Sequence, residues 1–437
     1  MLFVSIDRQL HIPSGLNAIE LRLDLIKKID WEWIRECIHD HIVLLTPRKA
    51  FNLSVIESLL ELNPHYFDLE WDIDPQRIEY LIQKYPNVKF VISFHRFEPF
   101  LDDLETIYQQ MSKFSAFTYK IAVFVSSALN AFRLLEFGKT HPKVSIICMG
   151  KSGEFARILG PVFGNVIDFA SFNDPIAPGQ LNVKEMKGIY HYDRLNSKTA
   201  IFGLIGNPVE QSIGHVFHNQ LFVEQNLNAV YVKIELEKSE LAEFFLKYGS
   251  YFLGLSVTMP LKEAAVTFVS NRGLMIAINT ILKRKEWIGV NVDGVGALRA
   301  LEKKGGVYGK KIVILGAGGA AIAIAQEAHK KGAYVYILNR TIERAKRVAK
   351  LLNCFGGGLK GIPKEYDILI NTVPVDTSIE ILPKTIAMDI VYMPKMTPFL
   401  QRAQNAQCEI VFGDEMFYEQ ATIQNQLFQN VYREHRK

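Results

Sequence analysis

The stretch that most restricts the fold is Lys310 to Arg344, KKIVILGAGGAAIAIAQEAHKKGAYVYILNRTIER. Ile312 to Leu315 are consecutive aliphatic residues, which suits a strand buried on both faces of a parallel sheet. Gly316, Gly318 and Ala321 follow in the spacing G-x-G-x-x-A. In a dinucleotide-binding βαβ unit the first small residue permits a tight turn and the second lets the backbone approach a pyrophosphate. The third lets helix pack closely on strand. The pyrophosphate would sit at the helix N-terminus, against Gly316, Ala317, Gly318, Gly319 and Ala320. A second apolar run, Tyr334 to Leu338, closes the unit and ends in Asn339-Arg340-Thr341, where an NAD-binder usually places an acidic residue. That exchange points to NADP(H), with Arg340 and Arg344 meeting a 2′-phosphate. Charge-assisted hydrogen bonds contribute about 1.5–3 kcal/mol each, so NADPH should be preferred over NADH by roughly tenfold or more.

At 437 residues the chain is too long for one ordinary domain. A hydrophobic content of 49% and a charged content of 22% are those of a folded globular protein, and a net charge of +4 is too small to argue for nucleic acid. Cys37, Cys148, Cys354 and Cys408 lie far apart with no C-x-x-C pair, which argues against a disulfide framework or a zinc site. The longest apolar run, Ile312 to Ala325, is interrupted by glycines and falls short of the roughly 20 residues a membrane span needs. The N-terminal apolar run is too short for a signal peptide. A cytoplasmic protein with no membrane and no metal is the expectation.

Ahead of residue 192, eight β-rich runs recur: Leu2 to Ile6, Ala18 to Asp24, His41 to Thr46, Tyr66 to Trp71, Lys89 to His95, Phe117 to Val125, Lys143 to Met149 and Val166 to Phe172. Amphipathic helical patterns lie between most of them, at Asn52 to Leu62, Pro75 to Tyr85, Leu101 to Phe114 and Ala128 to Phe137, and Val183 to Tyr190 follows the last. The alternation reads as a compact (β/α)8 barrel, with no helix in the short Pro/Gly-punctuated connection Asp7 to Asn17. Chemistry in such a barrel belongs at the C-terminal ends of the strands. Those ends carry Glu20, Arg22 and Asp24, then Arg48, Asp68 and Glu70, and His95. Lys120 lies in the sixth strand, Arg157 follows Met149-Gly150, and Gln180 closes Ala177-Pro178-Gly179-Gln180. Taken singly, a strand Lys is a surface residue and a lone His a hydrogen-bonded core group. Together they are hard to explain by packing, because unpaired buried charge is costly.

In this order E-x-R-x-D, T-x-R, D-x-E, S-x-H, a strand Lys, M-G with a following Arg, and A-P-G-Q resemble type I 3-dehydroquinate dehydratase over residues 1 to 190. The resemblance implies a Schiff base between Lys120 and a substrate ketone, with His95 as general acid/base and Glu70 orienting it. It further implies that Glu20, Arg22, Arg48, Arg157 and Gln180 bind an anionic polyol. Nearby cations are expected to depress the Lys120 pKa so that it attacks as the free amine. The family usually has Ser or Thr before A-P-G-Q; here it is Ile176.

A polar stretch at Asp193 to Ser197 precedes a new apolar strand at Thr199. Beyond it, G-N-P with Ser212, Ser256-Val257-Thr258-x-Pro260-x-Lys262, Asn279-Thr280 and G-x-N-x-D-G-x-G around Asp293 stand ahead of the glycine loop. The segment Asp389 to Leu400, then Met416 and Gln420, follow it. This set resembles shikimate dehydrogenase, and the two resemblances together resemble bifunctional fusions of consecutive reactions, the first giving 3-dehydroshikimate from 3-dehydroquinate and the second reducing it to shikimate. They imply Lys262 and Asp293 as a catalytic pair. They also imply that Ser212, Thr258, Asn279, Tyr392 and Gln420 contact substrate. A ketone that takes hydride must gain a proton, which a Lys beside an Asp can supply. The chain departs from the family at Gly214-His215, at Ser256 and at Val292.

The expected architecture is α/β throughout: a (β/α)8 barrel over 1–192, a substrate domain over 199–297 completed by a C-terminal helix at 413–437, and a Rossmann NADP-binding domain over 298–412. Competing expectations are a second half that prefers quinate, and a chain in which one half is a scaffold or sensor. Oligomeric state is left open.

Overall fold

The computed structural model describes residues 1–13, 15–48, 52–99, 103–273 and 275–436. It divides into two compact units, 1–199 with 222–235, and 200–221 with 236–437. Among the described residues no helix is long and apolar enough to cross a membrane.

In the first unit the strands are β1 (Leu2–Ile6), β2 (Ala18–Arg22), β3 (Ile42–Thr46), β4 (Tyr66–Glu70), β5 (Lys89–Pro99), β6 (Thr118–Phe124), β7 (Val144–Met149) and β8 (Asp168–Ser171). They form one sheet in the order β7-β6-β5-β4-β3-β2-β1-β8, with parallel ladders. Helices α1 (Trp31–Asp40), α2 (Leu53–Glu61), α3 (Pro75–Lys84), α4 (Leu104–Met111), α5 (Ala128–Thr140), α6 (Glu154–Phe163) and α7 (Val183–Gly188) intervene or follow. The helical pattern read from Leu101 begins on two residues outside the described ones. The fifth strand runs past His95 to Pro99, which leaves His95 within the strand rather than at its end.

The sheet is nearly closed. At its seam side chains do what a ladder does elsewhere. Asn165 Oδ1 accepts from Ile146 N (2.9 Å) while its Nδ2 donates to Ile146 O (2.9 Å), and Ser145 Oγ accepts from the backbone of Val166 (3.0 Å) and Ile167 (3.2 Å). Asn165 and Tyr192 also donate to the buried carboxylate of Asp168, each at 2.7 Å. The period of two then layers the interior. Phe3, Ala18, Leu44, Tyr66 and Val91 form an apolar layer. Two residues later on the same strand faces come Ser5, Glu20, Thr46, Asp68 and Ser93, all buried and all polar. The barrel therefore turns from apolar to polar toward the C-terminal ends of its strands.

The next elements are β9 (Ala200–Gly206), α8 (Gly214–Glu224), β10 (Ala229–Glu235), α9 (Leu241–Glu243), β11 (Phe252–Val257), β12 (Thr280–Lys283) and β13 (Trp287–Val290). In the second unit β9 pairs parallel with β11, and β11, β12 and β13 continue antiparallel. Helix α10 (Asp293–Glu302) leads to β14 (Lys311–Leu315), α11 (Gly319–Lys330), β15 (Tyr334–Leu338), α12 (Ile342–Leu352), β16 (Phe355–Gly357), β17 (Ile368–Asn371), β18 (Ile386–Asp389), α13 (Pro398–Asn405) and β19 (Glu409–Val411). These six strands form a parallel sheet in the order β16-β15-β14-β17-β18-β19. Its inner strands β14, β17 and β18 are mainly apolar runs because both of their faces are covered. Helix α14 (Gly413–His435) returns to the first sheet of this unit, where the Phe428 ring lies 4.9 Å from that of Phe202, tilted to it, and against Gly254.

Candidate active sites

In the barrel, Lys120 sits on β6 with its side chain 7% exposed. Its Nζ donates to Asp68 Oδ2 at 3.0 Å and lies 3.8 Å from Glu20 Oε1 and 4.4 Å from the Phe169 ring centre. The charged groups in contact with it are thus carboxylates. Glu20 is itself held by Ser5 Oγ (2.5 Å) and Thr46 Oγ1 (2.9 Å), and Asp68 accepts from Ser93 Oγ (2.5 Å). Asp68 was visible as half of D-x-E but had no role assigned. The signal was its spacing of two from Glu70, which puts both carboxylates on the inner face.

Glu70 meets Arg48 Nε at 2.8 Å and His95 Nδ1 at 3.0 Å, the latter off the line of a hydrogen bond. Resting sites often show such loose contacts. Arg48 reaches Glu70 from a turn where its own φ is +54°, a left-handed conformation that a non-glycine residue adopts at some cost. Burial first, and then the Lys120 and Arg48 cations, push the His95 pKa well below its ordinary value. His95 is therefore neutral and able to take a proton. Arg22 is engaged by Asp24 through two bonds of 2.8 and 2.7 Å. Arg157 comes from α6 and donates to Pro178 O at 3.2 Å, with its Nε buried and unpartnered among the described residues. Gln180 Nε2 reaches Ser5 Oγ at 3.4 Å, and its Oε1 accepts from Ile176 N at 3.1 Å, so the departure at Ile176 leaves the backbone bond in place.

The second site forms where β11, β12, α10, α11 and α14 meet. Lys262 Nζ pairs with Asp293 Oδ2. Asp293 opens α10, where the helix dipole favours a carboxylate. Its Oδ1 accepts from Asn279 Nδ2 at 2.8 Å, and Asn279 Nδ2 also lies 3.4 Å from Gln420 Oε1. Two glycines of the D-G-x-G motif explain how three helices converge. A Cβ on Gly294 would overlap the Ala323 carbonyl of α11, and one on Gly296 would come within 2.6 Å of Gln420 Cβ on α14. Tyr392 donates to Gln211 O at 3.1 Å and hydrogen-bonds Ser212. Thr258 lies against Gly206. Val292, another departure, keeps a part through its backbone: its N–H donates to Asn279 Oδ1 at 3.0 Å.

The glycine loop fits a dinucleotide. Gly316 has φ +118°, and a side chain there would overlap Thr372 Oγ1. A Cβ at Gly318 would meet nothing within 4 Å, so the loop is open at the start of α11, and Gly319 packs on Lys262, where a Cβ would come within 3.2 Å of Lys262 Cδ. Ala317 and Ala320 flank these positions. Asn339 Nδ2 donates to Thr341 O at 3.1 Å and shapes the turn after β15. Arg340 is exposed there. Arg344 Nε donates to Ala317 O (2.9 Å) and Nη2 pairs with Glu263 Oε1 (2.8 Å), so it braces the loop.

Comparison with known proteins agrees with this division. The type I 3-dehydroquinase family matches residues 6–197, the shikimate dehydrogenase substrate-binding domain matches 204–281, and the shikimate/quinate 5-dehydrogenase family matches 299–379. The chain is 34% identical to the shikimate biosynthesis protein AroDE of Chlamydia pneumoniae, over 95% of this chain and 90% of that protein. It is 30% identical to the chloroplastic bifunctional 3-dehydroquinate dehydratase/shikimate dehydrogenase of Arabidopsis thaliana, over 86% and 69% respectively. Its second half is 39% identical to the shikimate dehydrogenase (NADP(+)) of Pyrococcus furiosus, covering 50% of this chain and 86% of that one.

Proposed function

The chain belongs to the family of bifunctional 3-dehydroquinate dehydratase/shikimate dehydrogenases, and we propose that each of its two sites carries one of the family's consecutive reactions. Residues 1–192, as a (β/α)8 barrel, dehydrate 3-dehydroquinate to 3-dehydroshikimate. Residues 199–297 with 413–437 hold that product while a Rossmann unit over 298–412 presents NADPH, and shikimate results. The observation that carries this reading is a lysine buried among strand ends, Lys120, with a carboxylate in contact and a neutral histidine close enough to feel its charge.

Asp68 is placed to take the proton that Lys120 must lose before its amine attacks the ketone carbon. Loss of water from the adduct leaves an iminium, which acidifies the neighbouring C–H. His95 removes that proton as base and returns it to the departing hydroxyl, and water then releases the product and frees Lys120. Arg22, Arg48, Arg157 and Gln180 supply the donors an anionic polyol requires.

In the second site bound NADPH supplies the hydride. Lys262 gives a proton to the carbonyl oxygen as it takes on alkoxide character, and Asp293 holds the ammonium in place. Ser212, Thr258, Asn279, Tyr392 and Gln420 bind hydroxyls and carboxylate. Arg340, exposed after β15, is the residue we assign to the 2′-phosphate.

Borohydride added during turnover of 3-dehydroquinate should fix the substrate carbon on Lys120 as a secondary amine, read by peptide mass. An unmodified lysine after reduction would sink the barrel mechanism. Lys262→Ala should remove most NADPH-dependent reduction while dehydration persists. Equal loss of both would show the sites to be wrongly placed.

A further inference from the structure

The hydrogen bonds behind Asp293 lead to a residue that no motif marks. Gln424 stands one helical turn beyond Gln420 on α14 and is buried. Its Oε1 accepts from Ser256 Oγ at 2.9 Å. Its Nε2 donates to Asn279 O at 3.0 Å and to Thr280 Oγ1 at 2.8 Å, and the His218 ring also hydrogen-bonds its side chain. Both ends of the amide are engaged by protein.

The consequence passes through Thr280. A hydroxyl that accepts from Gln424 turns its one proton elsewhere, and here that is Asn279 Oδ1 at 2.8 Å. The Val292 N–H donates to the same oxygen at 3.0 Å. Two donors on Oδ1 decide which end of the Asn279 amide faces which way. Nδ2 is left to face Asp293 Oδ1 at 2.8 Å, and the other carboxylate oxygen faces Lys262. An amide turned end for end would set oxygen against carboxylate.

We propose that Gln424 is a positioning residue for the reduction: it orients the Thr280 hydroxyl, which sets the Asn279 amide, which turns Asp293 toward Lys262. The proposal rests on the reading of Lys262 and Asp293 as the reacting pair, and it adds that the last helix governs that pair through a relay of buried side chains. It also gives Ser256 a task, anchoring the far side of Gln424.

The test uses the full chain, with reduction of 3-dehydroshikimate followed by loss of NADPH absorbance across pH for wild type, Gln424→Met, Thr280→Val and Thr280→Ser. Met and Val keep the volume and remove the bonds, whereas Ser keeps the hydroxyl. Gln424→Met and Thr280→Val should each lower kcat about 10- to 100-fold, the scale of a misplaced reacting group, with KM little changed. Both should move the pH profile of kcat in the same direction, the double variant should be no worse than either alone, and Thr280→Ser should recover most of the activity. Wild-type kcat and pH profile in Gln424→Met, with only a lower melting temperature, would overturn the proposal, as would losses that multiply in the double variant. Should Gln424→Met not fold, the Thr280→Val and Thr280→Ser pair decides alone. A wild-type chain without reductase activity would instead overturn the reading of Lys262 and Asp293.

Discussion

His95 is a barrel group whose charge depends on its neighbours. Burial disfavours its imidazolium, and the cations of Lys120 and Arg48 add to that. As a base it works only when neutral, so the acid limb it imposes on kcat/KM for dehydration lies well below 6.5, not near it. Arg48→Met tests the cause. It removes one of the three cations that lower the His95 pKa, the others being Lys120 and Arg22, and it also frees Glu70, whose Oε1 is 3.0 Å from His95 Nδ1 and 2.8 Å from Arg48 Nε. Both changes favour the imidazolium, so the acid limb should rise toward 6.5 while the rate at neutral pH falls through weaker substrate binding. A lower rate with an unmoved limb would show that Arg48 binds substrate but does not tune His95. The sign for stability is the same. A histidine whose folded pKa is depressed binds fewer protons in the folded chain, so this unit loses stability as pH falls below 6.5.

Helix α10 is the element on which the reductase site turns. It starts at Asp293, and its first turn is crowded from two sides, by α11 at Gly294 and by α14 at Gly296. A methyl at Gly296 would approach Gln420 N at 2.8 Å, a backbone atom that cannot swing aside. Gly296→Ala should therefore separate α10 from α14, cost about 1–3 kcal/mol as overpacking does, and depress reduction more than binding of NADPH. Unchanged kcat with wild-type thermal stability would refute the close crossing. The same region shows what a sequence does and does not reveal. Lys262, Asp293, Asn279 and Gln420 were legible because each lies in a short motif, and β14, β15 and the barrel strands were legible because they are apolar runs with sharp turns. Gln424 was not, because a Gln four residues after another reads as a polar helix face, and only the fold shows that face to be buried. The seam between β7 and β8 was likewise closed to sequence reading, since Asn165 and Ser145 look like ordinary turn and strand residues. The set of charges around Lys120 was closed to sequence reading for a related reason. Charge types can be counted along a chain, but which of them touch depends on strand stagger, and Asp68 and Glu20 arrive before any arginine does.

At the scale of the whole chain, the side chains assigned to dehydration lie within residues 1–199, and those assigned to reduction lie within 200–221 and 236–437. Neither chemistry borrows a reacting group from the other. Lys120→Ala should therefore leave reduction of supplied 3-dehydroshikimate at the wild-type rate, and Lys262→Ala should leave dehydration intact. The stronger test mixes the two variants. Each mixture contains one working copy of each site, but on different chains, so the intermediate must cross solvent. Because that intermediate is a small, charged, freely soluble acid, we expect the mixture, at matched concentrations of each working site, to convert 3-dehydroquinate to shikimate at the wild-type steady rate. It should do so after a lag while free 3-dehydroshikimate accumulates, and wild type should show the same lag. A mixture that stays well below wild type at steady state, or a wild type with no lag, would mean that the fusion hands its intermediate on within one chain, and the two sites would then have to be understood as coupled.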